Sequence, residues 1–557
     1  MADIYFHDIH TNKFGTKVFL DSPFSAKDVI MELDWEKSHR VWNEEVRKWE
    51  IDLDAVNLAV NKLRDAGFTV EMDDEVRKHY KTMVEELTDK DNITVTLVID
   101  DDNVTVQDNE RMKDIDKLLY TNLSYYIKGA RHVTAYQKRR WDGREHLYYK
   151  KTHSAPLGLW KRMKTTLEEE GYNVVIVDER EEPAHDTHKT LDLEWGFEHD
   201  FRDYQVQAIK RGLKQNNGVL SLPTGSGKTI VGLRLIYELG YQTIIFVHKI
   251  ELLYQWMEVI KDVLNYKAGL IGDGNWKEKD ITVAMLQSVN SRGVENLKEY
   301  PIMIVDETHR CPADTFFDVV SNMDSYYRYG LSATPYRNDN AELRIYAGVG
   351  EIAIDVTAEK LVDEGYLAEP VFHTIRWSPE YSVPKNDYEA QRDMMRASKR
   401  RNNAIAEKVR ELQSEGHKIL VDVSRIQHGE TLSRLLGAPF LRGTSTTSKR
   451  KEIIDEFQNG HLNVMVSTLL NEGVDIPEMT AVVLADSGKS SIDLIQTIGR
   501  ALRVQEDKSA VVVTMDDREG GGYMIDHTYH REQIIRKYYG KYYKQQSEFE
   551  WDMHPSQ

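Results

Sequence analysis

The 557-residue chain has one cysteine, Cys311, which excludes an intrachain disulfide framework and a cysteine-rich zinc site. Cys311 reads as a small packing residue. No apolar run approaches the roughly 18–20 residues that a membrane-spanning helix needs, and no basic start leads into an apolar core at the N-terminus. A soluble, cytoplasmic protein with no membrane partner is expected. Neither a zinc-ligand cluster nor a nuclease-like set of carboxylates and lysine stands out, so no second catalytic site is assigned. Positive charge is in deficit: 73 Lys and Arg against 92 Asp and Glu leave a formal charge of −19. That balance excludes a uniformly basic surface, but nucleic-acid binding needs only a local patch. Apolar residues are 40% of the chain, ample for the cores of the three or four domains that this length suggests.

What is present is a set of motifs in order. Leu222-Pro223-Thr224-Gly225-Ser226-Gly227-Lys228-Thr229 lies between an apolar strand, 218–222, and a helical stretch. In such a loop, backbone N–H groups of Thr224, Gly225, Ser226 and Gly227 cradle phosphates, Lys228 reaches the β/γ-phosphates and Thr229 holds Mg²⁺. Leu222 stands where the strict pattern has glycine. Downstream, Ile302-Met303-Ile304-Val305 runs directly into Asp306-Glu307-Thr308-His309. Carboxylates at the end of a rigid strand suit phosphoryl transfer, with Asp306 on the metal and Glu307 polarising the attacking water; alone, they would equally suit a solvated acidic turn. Third comes Gln496-Thr497-Ile498-Gly499-Arg500-Ala501-Leu502-Arg503. Arg500 and Arg503 are three apart on one helical face, from which guanidinium groups could reach a γ-phosphate across a domain interface.

Taken together these motifs resemble the superfamily 2 helicases and translocases, over roughly residues 195–513. The resemblance implies an ATP- and Mg²⁺-dependent nucleic-acid motor with Lys228, Asp306, Glu307, Gln496, Arg500 and Arg503 at its catalytic centre. It extends to Arg202-Asp203-Tyr204-Gln205, where Gln205 would read adenine, and to Gly473 and Asp475 of Asn471-Glu472-Gly473-Val474-Asp475, also on the nucleotide. Lys249, Gln287 and Thr468 sit where the superfamily meets the nucleic-acid backbone, although Lys249 replaces the usual small hydroxyl residue. His309, with Ser332 and Thr334 of Ser332-Ala333-Thr334, would couple hydrolysis to nucleic-acid binding.

The periodicity agrees with two tandem RecA-like, doubly wound parallel-sheet domains. Short apolar strands at 243–247, 281–284 and 302–305, and again at 419–423, 464–467, 481–485 and 510–514, alternate with helical stretches such as 250–263. The phosphate loop belongs only to the first set, as expected if two domains sandwich one ATP.

Ahead of the motor, Leu63-x-x-x-Gly67-Phe68-x-Val70 and Leu167-x-x-x-Gly171-Tyr172-x-Val174 each read as a helix stopped by glycine and turned into a strand. They are either two copies of a small α+β module or two independent uses of a common helix stop. The first is acidic (Glu44, Glu45, Glu50, Asp52, Asp54) and suits protein contacts or stability; 28–56, with Trp42 and Trp49, resembles a HARP-type module of annealing helicases. Between Thr121 and Thr165 the second carries Lys128, Arg131, Lys138, Arg139, Arg140, Arg144, Lys150 and others against only Asp142 and Glu145, interleaved with Tyr126, Tyr136, Trp141 and Trp160. That composition suits a DNA platform in which Lys138, Arg139, Arg140, Trp141 and Arg144 make contacts, or a solvated basic face around an aromatic core. The run Trp141-Asp142-Gly143-Arg144 and the segments after it resemble the N-terminal domain of UvsW-type branch-migration helicases and the DNA-recognition domain of XPB-like helicases.

The expected organisation is therefore an accessory module (1–88), a basic aromatic module (89–190), the two RecA-like domains (191–370 and 371–515), and a glycine joint with a tail helix (516–557) that either touches DNA or packs back. The expected activity is DNA-dependent ATP hydrolysis on duplex, forked or junction DNA. An RNA helicase and an ATP-switched DNA-binding scaffold are the alternatives.

Overall fold

A computed structural model describes residues 4–12, 15–23, 26–31, 33, 38–43, 46–66, 68–81, 93–183, 190–297, 300–310, 313–334, 341–380, 383–384, 387–443, 445–468, 479–486, 491–502 and 509–547. Arg503, Gly473, Asp475, Cys311, Gly67, Glu44 and Glu45 lie outside these residues. The chain forms two compact units: one of 1–97, 106–119 and 163–177, the other of 98–105, 120–162 and 178–557. Tyr120–Arg162, with the basic and aromatic residues, thus belongs to the unit that holds both motor sheets, and the span 89–190 is divided between the two.

In the first unit, strands Ile4–Asn12, Gly15–Asp21, Val41–Asn43, Lys48–Asp52 and Val70–Met72 form a five-stranded sheet. It is antiparallel except where Val70–Met72 joins Ile4–Asn12 in parallel. Ile4, Phe6, Val18, Leu20 and Ile51 pack with Val56, Val60 and Leu63 of helix Val56–Asp65. Two of the acidic residues of this module have internal partners: Asp52 is ion-paired with buried Lys17, and Glu50 accepts from Asn43.

The second unit holds two motor sheets. The first has eight strands, in the spatial order Asn275–Lys277, Gly269–Gly272, Ile281–Met285, Thr243–Val247, Ile302–Asp306, Tyr327–Ser332, Asn217–Ser221, Ile352–Asp355; only Asn275–Lys277 pairs antiparallel. The central strands are continuous apolar runs because helices cover both faces. The register Asp306↔Leu331 and Ser221↔Ser332 brings the ends of three strands to one edge, where an open parallel sheet places its ligands. The second sheet has six parallel strands, in the order Pro370–Arg376, Ala510–Asp516, Ala481–Leu484, Ile419–Asp422, Val464–Ser467, Phe440–Leu441. Both sheets are RecA-like.

The tail packs back. Gly520 is buried against Met395 and Gly521 lies against Val383 and Gln391, so the first two glycines form a close-packed corner, while Gly522 is exposed. Helix Gly522–Ser547 then buries Tyr539 beside Phe372 and ties Lys541 and Tyr542 to Asp363, each at 2.6 Å. Arg531 of this helix is 4% exposed and bonds Asp517 and the Met515 carbonyl.

Candidate active site

The phosphate loop joins buried strand Asn217–Ser221 to helix Lys228–Leu239. Gly227 caps that helix at φ 79°, and a Cβ there would stand 2.6 Å from Gln205 Nε2, so neither the backbone nor the space admits a side chain. Two side chains of helix Asp203–Gln215 brace the loop: the Tyr204 hydroxyl (2.9 Å) and Gln205 Nε2 (2.8 Å) both donate to the Ser226 carbonyl. Gln205 Oε1 accepts from Arg202 N at 3.0 Å. Its carboxamide is thus engaged at both ends within the protein, keeping one N–H and one lone pair for any further partner.

Lys228 Nζ lies 3.9 Å from Glu307 Oε1 and donates to the Leu222 carbonyl at 3.5 Å. Thr229 follows, half-buried, while Thr224 and Gly225 form the outer rim of the loop. Two strands away, Asp306 is 6% exposed and both its oxygens accept an N–H: Oδ2 from the Trp256 indole at 2.8 Å, Oδ1 from the Glu307 amide at 2.9 Å. Burial, reinforced by the adjacent Glu307 charge, pushes its carboxyl up to about 6, against the pull of Trp256 and Lys228. Glu307 adopts φ 48°, a conformation that costs a non-glycine residue energy and persists where the surroundings hold it.

A relay of hydrogen bonds starts at His309, whose side chain is fully buried. Gln496 Nε2 donates to His309 Nε2 (3.0 Å), which leaves the proton on Nδ1 to be donated to Ser332 Oγ (2.7 Å); Ser332 in turn donates to the Thr334 carbonyl (2.6 Å). Gln496 belongs to helix Ser491–Ala501 of the second motor domain, so the relay crosses between the domains. Three residues on, a Cβ at Gly499 would stand 3.0 Å from Thr224 Cβ, so the absence of a side chain lets this helix approach the phosphate loop. Arg500, one residue further, is half-buried.

Lys249 and Gln287 lie just beyond two adjacent strands of the first sheet, Thr243–Val247 and Ile281–Met285, each at the start of the helix that follows, and Gln287 Nε2 donates to the His248 carbonyl at 3.3 Å. Thr468 follows strand Val464–Ser467, its amide donating to Leu441. The basic residues sit on a hairpin, Ser124–Tyr126 paired with Arg144–His146. Lys138, Arg139, Arg140 and Arg144 are exposed, whereas Trp141 is half-buried and donates Nε1–H to the Arg144 carbonyl. Of the two acids of this segment, Asp142 stays exposed and bonds His146 at 2.8 Å, whereas Glu145 is half-buried and accepts from Tyr125 and from Arg344 of helix Glu342–Val349. Glu145 thereby fastens the hairpin to the first motor domain. Trp256 and Arg344 escaped the sequence reading, and Tyr204 and Gly499 stood within its motifs without a role; Trp256 sits in an ordinary amphipathic stripe with Leu253 and Ile260, which carries no signal beyond core packing.

Two RecA-like domains with a phosphate loop on one and a Gln-x-x-Gly-Arg helix on the other define a tandem-domain nucleotide-dependent motor. Residues 198–337 match the family model described as type III restriction enzyme, res subunit, and 401–505 match the helicase conserved C-terminal domain. With the ordered motifs, these matches bear out the resemblance to the superfamily 2 helicases. It is 28% identical to the DNA 3'-5' translocase XPB2 of Sulfurisphaera tokodaii over 58% of this chain and 83% of that one. Identity is 31% with the putative DNA 3'-5' helicase Rad25 of Halobacterium salinarum, over 61% of this chain and 57% of the other. The ATP-dependent DNA helicase uvsW of Enterobacteria phage T4 is 25% identical over 70% and 84%. The crystal structure of T4 UvsW superposes with a TM-score of 0.41 and 20% identity, over 80% of this chain and 97% of that one. Among the described residues no helix is long and apolar enough to cross a membrane.

Proposed function

We propose that this chain is an ATP-dependent DNA helicase or translocase that acts on duplex or branched DNA. The observation that carries the reading is the meeting of the phosphate loop, Asp306, Glu307 and His309 of the first domain with Gln496 and Gly499 of the second at one sheet edge. In this reading Lys228 and the loop amides hold the phosphates and Glu307 orients the attacking water. Arg500 and Arg503 supply charge to the transferring phosphoryl group. Gly473 and Asp475 belong to the nucleotide site, and Gln205 braces the loop while keeping hydrogen-bonding capacity for the base. Thr229 and Asp306 are hard oxygen donors that suit Mg²⁺, which takes few protein ligands alongside phosphates and water and neutralises phosphate charge when bound.

DNA as the substrate is supported by the names of the relatives and by the exposed basic hairpin, where Lys138, Arg139, Arg140 and Arg144 neutralise phosphates and Trp141 holds the turn. Lys249, Gln287 and Thr468 continue the path across the two sheets. The test compares ATPase rates with single-stranded DNA, duplex, fork, four-way junction and RNA as activators. Duplex or branched DNA should stimulate most, and stimulation by RNA alone overturns the reading. In parallel, Glu307→Gln should keep ATP bound while slowing hydrolysis by about 10²–10⁴; hydrolysis at the parental rate removes Glu307 from the role of base.

A further inference from the structure

Asp306 ends its strand with a carboxylate that is almost wholly out of water, where an ionised side chain is stable only if donors surround it. One donor is the next backbone amide; the other comes from a helix fifty residues earlier. Trp256, 1% exposed in helix Ile250–Leu264, lies between the two parts of the site. One edge of its ring lies 3.1 Å from where a Cβ on Gly232 would stand, in the helix that opens with Lys228 and Thr229, and near Ile304 and Leu331. Its indole N–H points the other way, 2.8 Å from Asp306 Oδ2. A tryptophan nitrogen donates and never accepts, so this contact favours the ionised carboxylate and fixes its rotamer. One lone pair on each oxygen stays open. A phenylalanine, leucine or methionine would fill the same core without this donor.

We infer that Trp256 is a positioning residue of the ATPase site, its indole N–H holding the Asp306 carboxylate in the orientation in which it receives the divalent cation of the nucleotide. The inference rests on the reading of Asp306 as the carboxylate on the metal side. Trp256 does not touch nucleotide; it acts through Asp306.

The test measures Mn²⁺ binding to the full chain with ADP by electron paramagnetic resonance, and ADP binding without metal by fluorescence. Trp256 is replaced by phenylalanine and, to keep the ring volume if that variant does not fold, by benzothienylalanine, which has sulfur in place of the N–H. Mn²⁺ affinity should fall about tenfold, the worth of a hydrogen bond to a charged group, with metal-free ADP affinity unchanged. In an Asp306→Asn background the same replacement should shift Mn²⁺ affinity by less than about twofold, because the pair is already broken. Parental Mn²⁺ affinity in the benzothienylalanine protein, or an undiminished tenfold loss in the Asp306→Asn background, overturns the inference. A chain whose Mn²⁺ affinity depends on the N–H but whose ATPase ignores nucleic acid overturns the proposed function and leaves Trp256 in place. A DNA-stimulated ATPase indifferent to the N–H does the reverse.

Discussion

Gln496→Ala isolates the contact between the two motor domains. His309 is fully buried, and with Ser332 taking the Nδ1 proton its Nε2 is an acceptor whose donor in this relay comes from Gln496. Removing that donor leaves a desolvated acceptor, at a cost of about 1–3 kcal/mol. The cost falls only on the arrangement in which the second domain engages the first, the arrangement that brings the Arg500 helix to the phosphate loop. ATP turnover at saturating DNA should therefore drop by about tenfold to a hundredfold, the rate equivalent of about 1.4–2.7 kcal/mol. In the proposed reading the phosphate loop of the first domain supplies most of the ADP contacts and Gln496 supplies none, so ADP affinity should change by less than about twofold. The assay is steady-state ATPase with and without DNA, with fluorescent-ADP titration beside it, for Gln496→Ala, His309→Ala and the double variant. If the relay is one device, the double variant should be no slower than the worse single, which is a coupling of about 1–3 kcal/mol. Additive losses in the double variant, or an ADP affinity that falls as far as turnover, would refute the reasoning.

Replacing exposed Lys138, Arg139 and Arg140 together with alanine should weaken duplex and junction binding and flatten the log–log salt slope by up to about 3, with ATP binding in the absence of DNA unchanged; an unaltered slope shows that the hairpin does not bind phosphate. His428 is buried in the second domain beside Arg401 and Arg396, and burial first, then those cations, hold its imidazole down at about 3. The folded chain therefore keeps it neutral while the unfolded chain takes up a proton below about 6.5. The resulting stability is intact above that pH and is lost as pH falls toward 3, by about 2 kcal/mol between pH 7 and 5. Urea midpoints at the two pH values should show that loss for the parent and a smaller one for His428→Gln; equal losses would show that His428 is not the group responsible.

The motor was legible because its chemistry is local in sequence. Thr243–Val247 and Val464–Ser467 fall where the apolar runs place them, since a strand buried on both faces has to be continuously apolar. The phosphate loop and Asp306-Glu307 declared themselves by residue type beside such strands. Strand Tyr327–Ser332 was hidden by Arg328, which reads as a surface residue until its guanidinium is seen donating to the carbonyls of Met323, Ser325 and Asp101. Gln205 read as a base contact, and only the fold shows it also clamping Ser226. The docking of Glu145 on Arg344, 199 residues apart, follows from tertiary geometry and leaves no mark in either local sequence. The same holds for the tail: its Tyr- and Lys-rich composition suits a nucleic-acid contact, and burial of Arg531 and Tyr539 decides for packing.

Gln496, Gly499 and Arg500 stand at i, i+3 and i+4 of helix Ser491–Ala501, and so share one face. Two of the three have defined targets on the first domain. Gln496 donates to His309, just beyond Asp306 and Glu307, while Gly499 lies against Thr224 in the phosphate loop. The helix is thereby held at two points on the nucleotide site, which fixes both its distance and its rotation. Arg500 cannot be aimed independently of them, because a rotation that redirects it would break the Gln496 bond, and a side chain at 499 would press on Thr224. Under the roles proposed for Arg500 and His309, hydrolysis and domain engagement are expected to be one event. Substitutions at 496, 499 and 500 are therefore expected to be strongly non-additive, each removing most of what the face supplies.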